Sequence, residues 1–213
     1  MIVTVTPNPS IDRTVTLAGE LVRGGVHRVV SATSEPGGKG VNVARALTLA
    51  GIGTVAVLPA AAHDPILTGL QSIDVAFHAV PVGGTVRTNL TVTEPDGTTT
   101  KINEPGAVLA AADAQALESA VIGHARSARW VVLSGSLPPG LPDSWYSDMV
   151  AALRPYGCKV AVDTSDAPLA ALAADIERAA PDLVKPNAEE LAGLAGVSAE
   201  SLESAVARGD AGP

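Results

Sequence analysis

The chain has 213 residues, 46% hydrophobic and 17% charged, and a formal net charge of −8, a size and composition suited to one sizeable α/β core. Its 14 lysines and arginines form no block and no stripe interleaved with aromatics, so no nucleic-acid partner is expected. No apolar run reaches membrane-spanning length, Met1 to Val5 run at once into Pro7-Asn8-Pro9 rather than a signal-peptide core, and Cys158 is the single cysteine, so neither a membrane nor a disulfide framework is expected and a reducing cytoplasm is.

In chain order, residues 2–6 (IVTVT) predict a β-branched strand that ends at the Pro-Asn-Pro turn, followed by short extended pieces around 13–17 and 26–34. Gly37-Gly38-Lys39-Gly40 opens an Ala/Leu-rich helix over 41–50, Gly51 stops it, and a strand follows at 54–58. Strand, glycine turn, helix, strand is the start of a doubly wound α/β domain. Residues 59–73 read as a shortened connection. The segments 86–93 and 98–102, joined by Glu94-Pro95-Asp96-Gly97, predict a hairpin with threonine at alternate positions. With the early extended pieces it predicts a small sheet outside the core, its strands inserted at about 13–34 and 86–103. From there helices at 112–123, 143–154 and about 167–175 alternate with strands at 130–134, 159–163 and 182–185, and helical pieces at 188–194 and 199–207 close the chain. The whole, residues 1–213, reads as one incomplete α/β domain, because a parallel sheet ending here leaves an edge to be covered.

The glycine tetrad lets backbone N–H groups approach an anion in front of a helix N-terminus, and Lys39 adds a point charge. It is not a Walker A loop and not a dinucleotide fingerprint, and a tight packing turn is its plain alternative. Asn42 lies one turn into the helix, where a ligand or the backbone must satisfy it. Asp12 follows the first strand's end, where a carboxylate can accept hydroxyl hydrogen bonds from a polyol or cap a turn. Arg87 in the hairpin can bridge a phosphate or sit solvated at an edge. Ser134-Gly135-Ser136-Leu137-Pro138-Pro139-Gly140 ends one core strand, with small residues that allow close approach of a substrate. Asp163 ends another, and Lys185-Pro186-Asn187-Ala188-Glu189-Glu190 a third, a set suited to a polyphosphate with its cation or to an acidic first helical turn. The four histidines, His27, His63, His78 and His124, follow no ligand spacing and read as solvent or turn residues. Cys158 reads as a small hydrophobe.

Thr6-Pro7-Asn8-Pro9-Ser10-Ile11-Asp12, Gly37-Gly38-Lys39-Gly40-Val41-Asn42-Val43-Ala44, Ser134-Gly135-Ser136-Leu137-Pro138 and Lys185-Pro186-Asn187-x-x-Glu190, in this order, resemble the motifs of the PfkB (ribokinase-like) family of carbohydrate kinases. The opening run, with Thr100-Lys101-Ile102-Asn103-Glu104-Pro105-Gly106, is similar to the family's hexose-phosphate branch. The resemblance implies a ribokinase-like, mostly parallel sheet flanked by helices, with a small β lid that helps form a homodimer. It implies that Asp12, Gly38 and Asn42 bind sugar hydroxyls, that Lys39, Arg87 and Ser136 meet the phosphate already on the sugar, and that Lys185, Asn187 and Glu190 face ATP and Mg²⁺, with Glu190 reaching the metal directly or through water. The implied reaction moves the γ-phosphoryl of ATP onto fructose 1-phosphate, with tagatose 6-phosphate and fructose 6-phosphate as alternative acceptors and a non-catalytic sugar-phosphate binding module as the alternative from another class. The family's second signature, a Gly-Ala-Gly-Asp-like turn that supplies the catalytic base, has no counterpart here. Gly209-Asp210-Ala211-Gly212 has the wrong order, and the base is expected beyond residue 213.

Overall fold

The computed structural model describes residues 1–208, and the 209–212 run lies outside the described residues. Its elements are β1 (Ile2–Val5), β2 (Ser10–Leu17), β3 (Val29–Gly37), α1 (Lys39–Leu49), β4 (Thr54–Ala60), α2 (Pro65–Ser72), β5 (Phe77–Pro81), β6 (Arg87–Thr93), β7 (Thr99–Asn103), α3 (Ala111–Ala125), β8 (Trp130–Ser134), α4 (Trp145–Leu153), β9 (Lys159–Asp163), α5 (Asp166–Ala174), α6 (Ile176–Ala179), β10 (Leu183–Val184), α7 (Ala188–Ala195) and α8 (Ala199–Arg208). Six strands form an all-parallel sheet in the order β10-β9-β8-β1-β4-β5. From β1 the chain first winds outward through β4 and β5, then returns to β8 on the other side. The order therefore reverses between β1 and β8, and a crevice opens beyond their C-terminal ends.

The apolar pattern explains why helices cover both faces. Along β4, Ala56 and Leu58 join Val41 and Ala44 of α1 and Ile66 and Leu70 of α2, whereas Val57 joins Leu117 and Val121 of α3 on the other face. Strands buried on both sides read as continuous Val/Leu/Ala runs, as those of parallel sheets do. The α3 face also takes Val131 and Leu133 of β8, Val160 and Val162 of β9, and Trp145, Tyr146 and Met149 of α4. Cys158 is buried in this cluster, as read from the sequence. At the far edge β10 pairs with β9 alone, and Leu183 is exposed there.

A second sheet, in the order β3-β2-β6-β7, stands apart from the first. Its central pair, β2 and β6, runs parallel, and the two outer pairings are antiparallel. The hairpin between β6 and β7 closes where Asp96 accepts from the Thr98 backbone and hydroxyl at 2.9 and 3.0 Å and Gly97 adopts φ 90°. The strand β2 starts three residues earlier than its sequence pattern predicts and β3 lies three residues later at the same length, so that Ser10 pairs with Gly37 and Asp12 with Glu35.

The shortened connection at 59–73 is a folded unit. Asp64 is buried, caps α2 by accepting from Ile66 N at 3.0 Å, and also accepts from Val86 N at 2.8 Å, while Pro65 occupies the first helical turn. The strand β5 follows α2 and pairs with β4. One histidine departs from the reading as solvent or turn residues: His78 is exposed on β5, but His124 is half-buried on α3, and their Nδ1 and Nε2 atoms are 2.9 Å apart.

Candidate active site

The first group of site residues comes from strand register. On β2 and β6, Ser10 lies beside Arg87 and Asp12 beside Asn89. Residues two apart on a strand share a face, so these four polar side chains stand together. The Asp12 Oδ1 atom accepts from Ser10 Oγ at 2.8 Å and from Asn89 Nδ2 at 3.0 Å. Its carboxylate lies over the backbone of Gly37, where any side chain would overlap it. Burial lowers the proton affinity of Arg87, with the charge of Asp12 opposing that shift. The Arg87 guanidinium donates to Glu104 O at 3.1 Å and to Ser136 Oγ at 3.2 Å. Asn8, 5% exposed, reaches Pro105 O at 3.0 Å and the same Ser136 Oγ at 3.2 Å. Two buried atoms of this group, Arg87 Nε and Asn89 Oδ1, have no hydrogen-bond partner among the described residues. A buried polar atom without a partner calls for an explanation, and Arg87, which carries one, also lines a cleft. That cleft, of about 450 Å³, is lined by Asn8, Arg87, Ser136, Asp143 and Asp166 among others.

The second group forms at the ends of β9 and β10. Asp163, at the last position of β9, accepts from Lys39 Nζ at 3.0 Å and faces Lys185 Nζ at 3.5 Å. Lys39 is thus paired with Asp163 and does not line the Arg87 cleft, and one carboxylate links the glycine loop to the β10 end. Gly38 caps α1 at φ 108°, a conformation that suits glycine, and a Cβ there would lie 2.6 Å from Thr6 Cγ2. Asn42 is exposed on the first turn of α1, its side chain without a protein partner among the described residues.

The third group is a capping box at the start of α7. Asn187 Oδ1 accepts from Glu190 N and Glu190 Oε2 accepts from Asn187 N, both at 2.8 Å. Both residues border a groove of about 420 Å³ together with Asp166 and Glu189. Asp166 therefore lines both this groove and the Arg87 cleft, and it holds φ 54°, an uncommon backbone for a residue other than glycine. Among the described residues no three His, Cys, Asp or Glu side chains converge as a closed metal site. The hard oxygen donors fit a magnesium ion that keeps its waters and rides on a polyphosphate.

A further device fixes the loop that carries Ser136. The Gly135 carbonyl accepts from Tyr146 Oη at 2.9 Å and from Thr164 Oγ1 at 3.0 Å, and Gly135 N donates to Asp163 O at 2.9 Å. Burial pushes the Tyr146 phenol far above the usual tyrosine range. Sequence reasoning gave no site role to Asn89, Tyr146 or Asp166, and Asn8 entered only as a motif position. The alternation Arg87-Thr88-Asn89 was a usable signal for Asn89, whereas the backbone of Asp166 left none.

A parallel sheet with its switch-point crevice at β1/β8, overhung by a polar-faced second sheet, defines a ribokinase-like α/β protein. The sequence pattern described as pfkB family carbohydrate kinase matches residues 5–212. The chain belongs to this family. It is 38% identical over 195 residues to a 1-phosphofructokinase of Xanthomonas campestris pv. campestris, covering 89% of this chain and 60% of that protein. It is 36% identical over 212 residues to a 1-phosphofructokinase of Rhodobacter capsulatus, covering 95% and 64%. Among solved structures, phosphofructokinase-2 from Escherichia coli in complex with fructose-6-phosphate superposes with a TM-score of 0.84 at 31% identity, covering 92% of this chain and 64% of that one. The chain thus spans 60–64% of the length of these relatives.

Proposed function

We propose that the chain carries the sugar-phosphate site and part of the nucleotide site of an ATP-dependent kinase that converts fructose 1-phosphate to fructose 1,6-bisphosphate. The observation that carries this reading is the Arg87–Ser136–Asn8 cleft, whose half-buried cation feels the charge of Asp12. Sugar hydroxyls would donate to the free lone pairs of Asp12, helped by the Gly38 backbone and Asn42. Arg87 and Ser136 would hold the resident phosphate, because a guanidinium offers paired donors to a phosphate edge. Lys39 stands between the two ends of the site, and Lys185, Asn187 and Glu190 face the entering polyphosphate. Magnesium would neutralise charge on that polyphosphate, with Glu190 and Asp166 reaching it through water. The base that takes the hydroxyl proton is read as an aspartate beyond residue 213.

The relatives named 1-phosphofructokinase support the C1 phosphate, while the E. coli structure solved with fructose-6-phosphate keeps a 6-phosphate acceptor as the second reading. A homodimer through the second sheet is supported by exposed Val29, Val30 and Ile102 on its outer strands. Cytoplasmic action accords with the lone buried thiol. The deciding experiment is ADP release by the protein carried to its natural C-terminus, beside residues 1–213, with MgATP and fructose 1-phosphate, fructose 6-phosphate, tagatose 6-phosphate or ribose. Turnover of fructose 1-phosphate by the long form alone supports the reading in full. A 6-phosphate preference overturns the substrate, and no turnover by either form overturns the kinase.

A further inference from the structure

His78 and His124 come from separate elements and meet at the protein surface with Nδ1 and Nε2 2.9 Å apart, their rings edge to face at 72°. The core fixes this approach. The strand β5 is registered on β4, with His78 beside Val57, and α3 buries Leu117, Val121 and Ala125 against the same sheet. Backbone motion is therefore not needed to keep the two imidazoles together. Neither ring has another hydrogen-bond partner among the described residues, and His78 is exposed, so ions reach the pair from solvent.

We propose that His78 and His124 form a transition-metal site, selective for a divalent ion with right-angled coordination such as Cu²⁺ or Ni²⁺. The separation favours a right angle once the rings turn so that both lone pairs, now directed along the hydrogen bond, converge on one ion. With each imidazole nitrogen about 2.0–2.1 Å from the ion, two ligands at a right angle stand about 2.9 Å apart, and two at a tetrahedral angle about 3.3–3.4 Å. The observed 2.9 Å matches the right angle and asks tetrahedral zinc to spread the rings. Neutral imidazole suits copper and nickel, and copper leads the affinity series for nitrogen donors. Protons balance without release. In the hydrogen-bonded pair one facing nitrogen carries a proton, and on metal binding that ring shifts its proton to the outward nitrogen, leaving two lone pairs for the ion. No described acidic side chain completes a three-residue set here, so water fills the remaining positions.

Topology places this site away from the crevice. His78 is the second residue of β5, at the N-terminal edge of the parallel sheet, and His124 is one residue from the end of α3. The Arg87 cleft lies at the opposite, C-terminal edge. Metal at the histidine pair thus staples the edge strand β5 to α3 and leaves the sugar-phosphate residues untouched.

The test uses untagged protein and the metals alone. Substoichiometric Cu²⁺ is added to the native protein, and electron paramagnetic resonance reads its equatorial ligands. Two imidazole nitrogens are expected, and they are expected to vanish in H78Q/H124Q but persist in H27Q/H63Q. In thermal unfolding, the midpoint is expected to rise with Cu²⁺ and Ni²⁺, less with Zn²⁺ and not with Mg²⁺. With no binding to the unfolded chain, a 100-fold excess over the dissociation constant multiplies the folded-to-unfolded ratio by about 100, and binding to unfolded histidines lowers that factor. At least a tenfold loss of Ni²⁺ affinity is expected in each single variant. Spectra or affinities unchanged in H78Q/H124Q, including a signal from the terminal amine alone, overturn the proposal and leave the pair as a hydrogen bond between two elements.

Discussion

The Gly135 carbonyl offers a quantitative test of how the Ser136 loop is held. It is buried and accepts from two side chains, Tyr146 and Thr164, which are themselves buried. Tyr146→Phe removes one donor and leaves the carbonyl bonded to Thr164, so the loss is one net hydrogen bond, about 1 kcal/mol. Thr164→Val removes the other donor at nearly constant shape, again about 1 kcal/mol. The double variant is different, because the carbonyl then has no side-chain donor and bears a desolvation cost of about 1–3 kcal/mol in addition. The sum of the singles is therefore about 2 kcal/mol and the double loses about 3–5 kcal/mol, a coupling well above the few tenths expected of independent sites. Urea unfolding of the four proteins at pH 7 measures this directly, provided the denaturant slope stays constant. Ser136 adjoins the clamped carbonyl, so phosphate-ester binding is expected to weaken in the double more than in either single. Additivity within about 0.5 kcal/mol would refute the shared-acceptor reasoning.

Three further outcomes are expected. Gly38→Ala forces a side chain into φ 108° and against Thr6 Cγ2 at 2.6 Å, whereas Gly97→Ala meets nothing within 4 Å at φ 90°; backbone strain costs each about 1–3 kcal/mol, and urea unfolding should show Gly38→Ala the costlier by its steric clash. Asn187→Ala removes the capping box and about 1 kcal/mol, Asn187→Asp keeps the cap, and calorimetry should find nucleotide binding weakened in both if the side chain also faces polyphosphate. Burial pushes the Cys158 thiol up, so its folded pKa lies above its unfolded one. Its contribution is fully present below the unfolded value, about 8.5, and is lost as pH rises through the folded one. Cys158→Ala should lose that part of the alkaline slope in unfolding titrations, and an unchanged slope would contradict the burial argument.

The core strands were legible because β1, β8 and β9 are β-branched runs bounded by turn residues, so period and punctuation agree. The region from Asp64 to Pro81 was not. An eight-residue helix that contains Gly69 has weak helical signal on its own, and its start depends on the Asp64 carboxylate, which also binds Val86 N, 22 residues away. His78 in β5 likewise reads as polar punctuation until α3 supplies its partner. In the site, motif positions such as Asp12, Arg87 and Ser136 were readable one by one. Their grouping was not, because Asn8 meets Ser136 across 128 residues and Lys39 meets Asp163 across 124. Only strand order and register bring such positions together.

The same long-range grouping bears on how the proposed site would receive its ligands. Lys39 and Lys185 retain 44% and 66% side-chain exposure while they share Asp163, which is 17% exposed. Ion pairs this open to water contribute only about 0–1 kcal/mol, so exchanging the carboxylate for a phosphate oxygen costs the fold little. Arg87 is in the opposite position: it is partly desolvated, with Nε orphaned, one Nη1 donor on Glu104 O and one Nη2 donor on Ser136 Oγ, which leaves a second N–H on each Nη for a ligand. An anion arriving there relieves an existing deficit rather than breaking a strong bond. The lysines are thus disposed to move with the ligand, and the arginine to remain where the second sheet has fixed it.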